Sequence, residues 1–73
     1  MEFETIRKII AEKMEIDESK ITLDSTLQDL DIDSLDMVDI IMDIENELNI
    51  SLEDLKDVEK VGDVVDFVKK VNG

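Results

Sequence analysis

The sequence lacks the side chains that most often carry chemistry in enzymes. Its 73 residues include no cysteine and no histidine, which excludes disulfides, Cys/His metal sites, thiol nucleophiles and a histidine general base. The missing cysteine also gives no sign of an oxidising compartment. A chain of this length forms one domain at most and leaves little volume for a deep active site. We therefore expect residues 1–73 to form a single domain that is not an enzyme.

Long apolar runs and a basic amino terminus are missing too. No apolar stretch approaches the roughly 20 residues that a membrane-spanning helix needs. The chain opens Met1-Glu2-Phe3-Glu4, with no basic stretch leading into an apolar one, so it does not resemble a signal peptide. The sequence therefore predicts a soluble, cytoplasmic protein without a membrane partner.

Basic residues are scarce, and their distribution is uneven. The chain has eight Lys and Arg residues and 21 Asp and Glu residues, which gives a net charge of −13. Residues 21–55 contain eleven acidic residues and no basic one. This charge would repel nucleic acids and anionic membranes. A basic patch on another protein is the expected complement. The alternative is solvated charge that serves solubility alone.

Apolar spacing predicts three main helices, over about residues 2–14, 34–48 and 63–71. A short fourth helix is predicted to begin after Ser51 as its N-cap and to end before Lys60. The linker over residues 15–33 is long, but we expect its apolar residues to pin it across the helix ends. These residues are Ile16, Ile21, Leu23, Leu27, Leu30 and Ile32. The predicted fold is a small all-α bundle of three main helices and one short helix, with a long first loop.

The second predicted helix has more apolar residues than one face can bury. Its expected core stripe is Met37, Ile41, Ile44 and Leu48. A further row, Leu35, Val38 and Met42, should stay partly exposed beside carboxylates, which is typical of partner binding. The alternative is that every one of these side chains belongs to the core.

Residues 29–36 read Asp-Leu-Asp-Ile-Asp-Ser-Leu-Asp, which first suggests a calcium loop. That motif fails, because Ser34 stands where glycine is required and Ile40 where a bidentate glutamate is required. Paired carboxylates for acid–base catalysis are also unsupported, since no nucleophile or base accompanies them. Ser34 remains as the candidate functional group. Taken alone, Asp33 or Ser34 at a helix start is most simply a helix cap.

Three features together closely resemble the acyl carrier protein family, the phosphopantetheine-bearing carriers of fatty-acid and polyketide synthesis. They are the motif Asp33-Ser34-Leu35 at a helix start, the long loop before it and the acidic helix after it. The resemblance covers essentially the whole chain, including Glu-Lys-Val-Gly-Asp-Val at residues 59–64. It implies a carrier whose Ser34 hydroxyl receives 4′-phosphopantetheine from coenzyme A and holds acyl groups as thioesters on that arm.

The resemblance also implies how such a carrier meets its partners. It would be a monomer that docks its acidic helix on basic patches of a phosphopantetheinyl transferase (holo-carrier synthase), acyltransferases and ketosynthases. The electrostatic contacts would be Asp33, Asp36, Asp39 and Glu45, and the apolar contacts Leu35, Val38 and Met42. An acyl chain could fold back against Met37, Ile41, Ile44 and Val61, with a solid core as the alternative.

Three positions depart from the family pattern. Asp31 stands where glycine is usual, Glu53 where proline is common, and Asp43 where a small residue is common. They leave open a specialised paralogue outside primary fatty-acid synthesis. An aminoacyl, peptidyl or D-alanyl carrier is a second hypothesis, disfavoured by Leu35 and the acidic stretch. A third is an unmodified acidic adaptor that binds a basic partner without any arm.

Overall fold

The computed structural model describes residues 2–53, 55 and 57–72. Helix α1 spans Glu2–Met14, helix α2 spans Ser34–Leu48 and helix α3 spans Val61–Asn72, and a 3-10 helix covers Glu18–Lys20. The described residues contain no β-strand, only an isolated bridge between Thr26 and Lys60. The all-α prediction is thus confirmed, with α3 beginning two residues earlier than expected. None of the described helices is both long and apolar enough to cross a membrane.

The core lies between the three helices and consists of β-branched side chains. Helix α1 packs against both α2 and α3. The residues that meet there are at most 2% exposed: Ile6, Ile10, Ile40, Ile44, Val61, Val64, Val65 and Val68. Burial of one such side chain stabilises a fold by about 1.5–3 kcal/mol. In so small a domain these residues therefore make a large contribution to stability.

The buried stripe of α2 is rotated from the predicted one. Ile44 is fully buried as expected, but its partner one turn earlier is Ile40, which the prediction omitted. Met37, Ile41 and Leu48 are only half-buried and pack around the core. Because Ile40 and Ile41 are adjacent apolar residues, the sequence pattern could not decide which of them faces inward.

The long first loop is held by backbone hydrogen bonds to the start of α3. The N–H groups of Val61 and Gly62 donate to the carbonyls of Ser25 and Leu23, both at 2.9 Å. A Cβ on residue 62 would lie 2.9 Å from the Leu23 carbonyl oxygen, so this close approach requires glycine. Ile21 and Ile32 are buried as predicted, but the Leu23 side chain is 48% exposed. Leu23 therefore anchors the loop through its carbonyl and not, as predicted, through its side chain.

The prediction of a short helix after Ser51 is wrong for the described residues of that segment. Asp54 and Lys56 lie outside the described residues, and the described residues between 51 and 59 are not helical. The Leu55 N–H closes a single turn onto the Leu52 carbonyl at 3.0 Å. Asp57 has a left-handed backbone, with φ of 59°, which no right-handed helix accommodates. The short helical element is instead Glu18–Lys20, capped by the Asp17 side chain.

Candidate functional site

Asp33 and Asp36 fix the start of α2. Asp33 has an extended backbone and is the N-cap, and its Oδ1 accepts the N–H of Asp36 at 2.9 Å. In return, the Asp36 Oδ2 accepts the N–H of Asp33 at 3.4 Å. This reciprocal arrangement is a capping box, which satisfies backbone donors that a helix start leaves free. Asp33, and not Ser34, is therefore the helix cap.

Ser34 is the first residue of α2, and its side chain is exposed. Its hydroxyl takes part in none of the hydrogen bonds among the described residues. Free N–H groups and the positive end of the helix dipole lie next to it, an environment that favours a phosphate group. Serine needs a base to become a nucleophile, and the chain has no histidine. The exposed hydroxyl is thus accessible from outside the fold.

The turn before Ser34 contains a left-handed residue. Asp31 has φ of 58°, and its N–H donates to the Gln28 carbonyl at 3.0 Å. Next to it, the N–H of Ile32 donates to the Leu27 carbonyl at 2.9 Å, and the Ile32 side chain is buried. A left-handed backbone is the conformation that glycine adopts most easily. Glycine would therefore adopt the backbone conformation of residue 31 with less strain than Asp31 does.

An apolar row lies exposed along α2. Leu35 is 77% exposed, and Val38 and Met42 are each 54% exposed. Their spacing of three and four residues places them on one side of the helix, beginning next to Ser34. The predicted exposure of this row is confirmed, and the alternative that all of it belongs to the core is wrong. Its role in docking stays a prediction.

The predicted electrostatic contacts differ in how freely they can meet a partner. Asp39 is exposed and has no ion-pair or hydrogen-bond partner in the described part of the chain. Asp36 belongs to the capping box, and Glu45 Oε2 accepts the N–H of Leu52 at 2.7 Å. Asp43 forms an ion pair with Lys13 at 3.2 Å, which ties α2 to α1. Of the four predicted contacts, Asp33, Asp36 and Glu45 therefore also hold the fold together, and Asp43, which was not among them, does so through Lys13.

The residues predicted to line an acyl-binding interior form solid packing. Ile44 and Val61 have no exposed surface, and Met37 and Ile41 pack half-buried against the same core. A surface hollow lies elsewhere, between the first loop and the segment before α3, and is lined by Thr26, Leu27, Gln28, Val58 and Glu59. The solid-core alternative therefore describes this structure.

Known proteins match the chain over nearly its whole length. The family model described as "Phosphopantetheine attachment site" matches residues 4–68. The acyl carrier protein of Thermotoga maritima is 40% identical over 74 residues, which cover 97% of this chain and 91% of that protein. The acyl carrier protein of Streptococcus pneumoniae serotype 4 is 43% identical over 68 residues, covering 93% of this chain and 92% of that protein. The chain belongs to the acyl carrier protein family, whose members are phosphopantetheine-bearing carriers and not enzymes.

Proposed function

We propose that this chain holds acyl groups as thioesters on a 4′-phosphopantetheine arm attached to Ser34, and presents them to enzymes of fatty-acid or polyketide synthesis. The observation that supports this most directly is the Ser34 hydroxyl, exposed on the first residue of α2 and without a hydrogen-bond partner among the described residues. Membership in the acyl carrier protein family supports it independently.

The residues around Ser34 fit the arm. Asp33 holds the helix start in place through its backbone and carboxylate, so the Ser34 hydroxyl is available for a phosphodiester bond. The proton of that hydroxyl would pass to a base of the transferase as the phosphodiester bond forms. When bound, the arm supplies the thiol that a chain without cysteine lacks. Leu35, exposed beside Ser34, offers an apolar contact to the modifying enzyme.

Proteins of this family work with a transferase and with synthase enzymes. In this chain, the partners would be a phosphopantetheinyl transferase, acyltransferases and ketosynthases with basic docking patches. Carboxylates of Asp33, Asp36, Asp39 and Glu45 would steer the encounter, which raises association rates without demanding tight binding. Leu35, Val38 and Met42 would supply apolar contacts. Since the acidic α2 repels a second copy of itself, we expect a monomer. We also expect it to act in the cytoplasm.

Intact mass spectrometry tests the proposal. The folded chain is incubated with coenzyme A and a broad-specificity phosphopantetheinyl transferase, alongside Ser34→Ala and the control Ser51→Ala, which alters another exposed serine. We expect one added arm on the wild type and on Ser51→Ala, and none on Ser34→Ala. A folded, initially unmodified wild-type chain that gains no mass would overturn the proposal and favour the acidic adaptor.

The chemical class of the group carried on the arm is tested with the same protein. The arm-bearing chain is offered to an acyltransferase with malonyl-coenzyme A and, separately, to an amino-acid-activating enzyme with ATP. Loading by the acyltransferase alone is the expected result. Loading by the amino-acid-activating enzyme alone would make the chain an aminoacyl carrier. Failure with both, despite a correctly attached arm, would favour a specialised paralogue, for which the departure at Asp31 is the supporting observation.

A further inference from the structure

We infer that the Met42 thioether is an oxidation site, and that its conversion to the sulfoxide by peroxide weakens docking along α2. This inference rests on the proposed function, because it assumes that the exposed row of α2 meets partner enzymes. The inferred site lies on a surface that is otherwise formed by carboxylates and apolar side chains.

The amino-acid composition leaves peroxide few targets. The chain has no cysteine, tryptophan, tyrosine or histidine, and it has four methionines. Methionine thioethers are therefore its oxidisable side chains, and susceptibility follows exposure. Met14 and Met37 are half-buried and pack against the core, and Met1 lies outside the described residues. Met42 is 54% exposed, which makes it the most exposed methionine among the described residues.

The surroundings of Met42 connect its oxidation to docking. Met42 follows Val38 by four residues and Leu35 by seven, so it continues the exposed apolar row. Asp39, three residues before it, and Glu45, three residues after it, place carboxylates on either side. Oxidation would thus change the apolar part of this surface and leave its charge unaltered.

The chemistry balances with hydrogen peroxide as the oxidant. A sulfur lone pair of Met42 attacks one peroxide oxygen, an S–O bond forms, the O–O bond breaks, and the second oxygen leaves as water with both protons. Sulfur is oxidised by two electrons and peroxide is reduced by two. The product is a polar, chiral sulfoxide that methionine sulfoxide reductases can reverse. Placing that oxygen in an apolar pocket of a partner, without a hydrogen-bond donor, is unfavourable.

The experiment uses the full chain before arm attachment, which contains no thiol. The chain is treated with hydrogen peroxide at increasing ratios, and peptide mass mapping locates the first added oxygen. The kcat/KM for arm transfer is then measured with a phosphopantetheinyl transferase that has not been treated. Among the methionines of the described residues we expect Met42 to be oxidised first, and kcat/KM to fall about tenfold once it is oxidised, equivalent to about 1.4 kcal/mol. The melting temperature should stay unchanged, because Met42 is not part of the core.

Two variants separate Met42 from the other methionines. Met42→Leu keeps an apolar side chain but has no thioether, so its rate of arm transfer after peroxide should equal its own rate before peroxide. The control Met37→Leu removes a half-buried methionine of the same helix and should lose activity on oxidation as the wild type does. Treatment of the oxidised wild type with a methionine sulfoxide reductase should restore the rate.

Each contrary result has a distinct meaning. If oxidation reaches Met14 or Met37 first, or if singly oxidised Met42 leaves kcat/KM unchanged, the inference is wrong while the carrier function stands. An equal loss of activity in peroxide-treated Met42→Leu would also overturn it. If the untreated chain accepts no arm at all, the proposed function fails, and the inference fails with it.

Discussion

Asp33 and Asp36 exchange hydrogen bonds across the first turn of α2. Asp33 Oδ1 accepts the N–H of Asp36 at 2.9 Å, and Asp36 Oδ2 accepts the N–H of Asp33 at 3.4 Å. Because these two residues satisfy backbone donors at the helix start, the first residue of the helix, Ser34, is not needed as a cap, and its hydroxyl has no hydrogen-bond partner among the described residues. Asp33 thus stabilises the start of the helix, and the adjacent Ser34 is the proposed attachment residue.

This division predicts that the two positions respond differently to alanine. Asp33→Ala removes the N-cap and should lower the free energy of unfolding by about 1 kcal/mol. Ser34→Ala removes an exposed hydroxyl without a partner and should change it by less than about 0.5 kcal/mol. Urea denaturation followed by circular dichroism measures both. Asp33→Asn is the matched control, since asparagine caps helices about as well as aspartate. A loss in Ser34→Ala equal to that in Asp33→Ala would contradict the assignment of the cap.

The sequence was sufficient to predict the three main helices, because apolar residues at helical spacing persist for three or more turns in each. It was insufficient for the inner face of α2, where Ile40 and Ile41 are neighbours and only the tertiary packing, in which α2 meets α1, decides that Ile40 is the buried one. It was also misleading after Ser51, where a helix start signal lacks a regular apolar continuation and Asp57 adopts a left-handed backbone.

Ser34 could be proposed as the attachment residue only through resemblance to a family. Asp and Ser are both good N-caps, so the motif alone could not say which of them caps α2. The exposed row was predictable, because Leu35, Val38 and Met42 exceed what one helix face can bury. The contacts that Glu45 and Asp43 make within the fold were not predictable, since their partners Leu52 and Lys13 lie on other segments.

Asp31, in the turn that precedes Ser34, allows a test of how backbone conformation affects the stability of the protein. Its φ of 58° lies in the left-handed region, where a side chain is unfavourable by about 1–2 kcal/mol and aspartate is tolerated better than most residues. Asp31→Gly should therefore raise the free energy of unfolding, by about 0.5–1 kcal/mol. Calorimetric melting measures the change. The control Asp31→Asn removes the charge but keeps a side chain, so it separates relief of strain from relief of repulsion. If Asp31→Asn stabilises as much as Asp31→Gly, charge and not backbone conformation explains the effect.

Asp63 links stability to pH at the start of α3. Its carboxylate accepts the N–H of Glu59 at 3.0 Å and the N–H of Lys60 at 3.1 Å, and these bonds hold its pKa below the usual 3.8. A lowered pKa in the folded state stabilises the protein above the unfolded value, and that contribution is lost as pH falls through the folded value. The wild type should therefore be more stable than Asp63→Asn at neutral pH.

The advantage over Asp63→Asn should shrink as pH falls below 3.8. Comparing the two proteins by urea denaturation at matched pH removes the effect of the other carboxylates, which titrate in both. An advantage that grows on acidification would contradict the assigned hydrogen bonds.

The concentration of acidic charge on and around α2 predicts a dependence on salt. Residues 21–55 contain eleven acidic residues and no basic one, and Asp39 lies on α2 three residues after Asp36 and four before Asp43. Like charges at this spacing destabilise a helix by about 0.2–0.5 kcal/mol. Asp39→Asn should therefore raise the melting temperature by about 1–4 °C at low salt. The gain should nearly vanish at high salt, because the screening length is about 10 Å at 0.1 M and shorter above it.

Asp43→Asn is the matched control for this prediction, because it removes a charge from the same face and also breaks the 3.2 Å ion pair with Lys13. It should therefore gain less than Asp39→Asn, or lose stability. The wild type itself should melt at a higher temperature as sodium chloride is added, since screening relieves repulsion that is present only when the acidic residues are held together. Differential scanning calorimetry across a salt series measures all three proteins. A wild-type melting temperature that does not respond to salt would show that the carboxylates of α2 lie too far apart, or too well solvated, to repel one another.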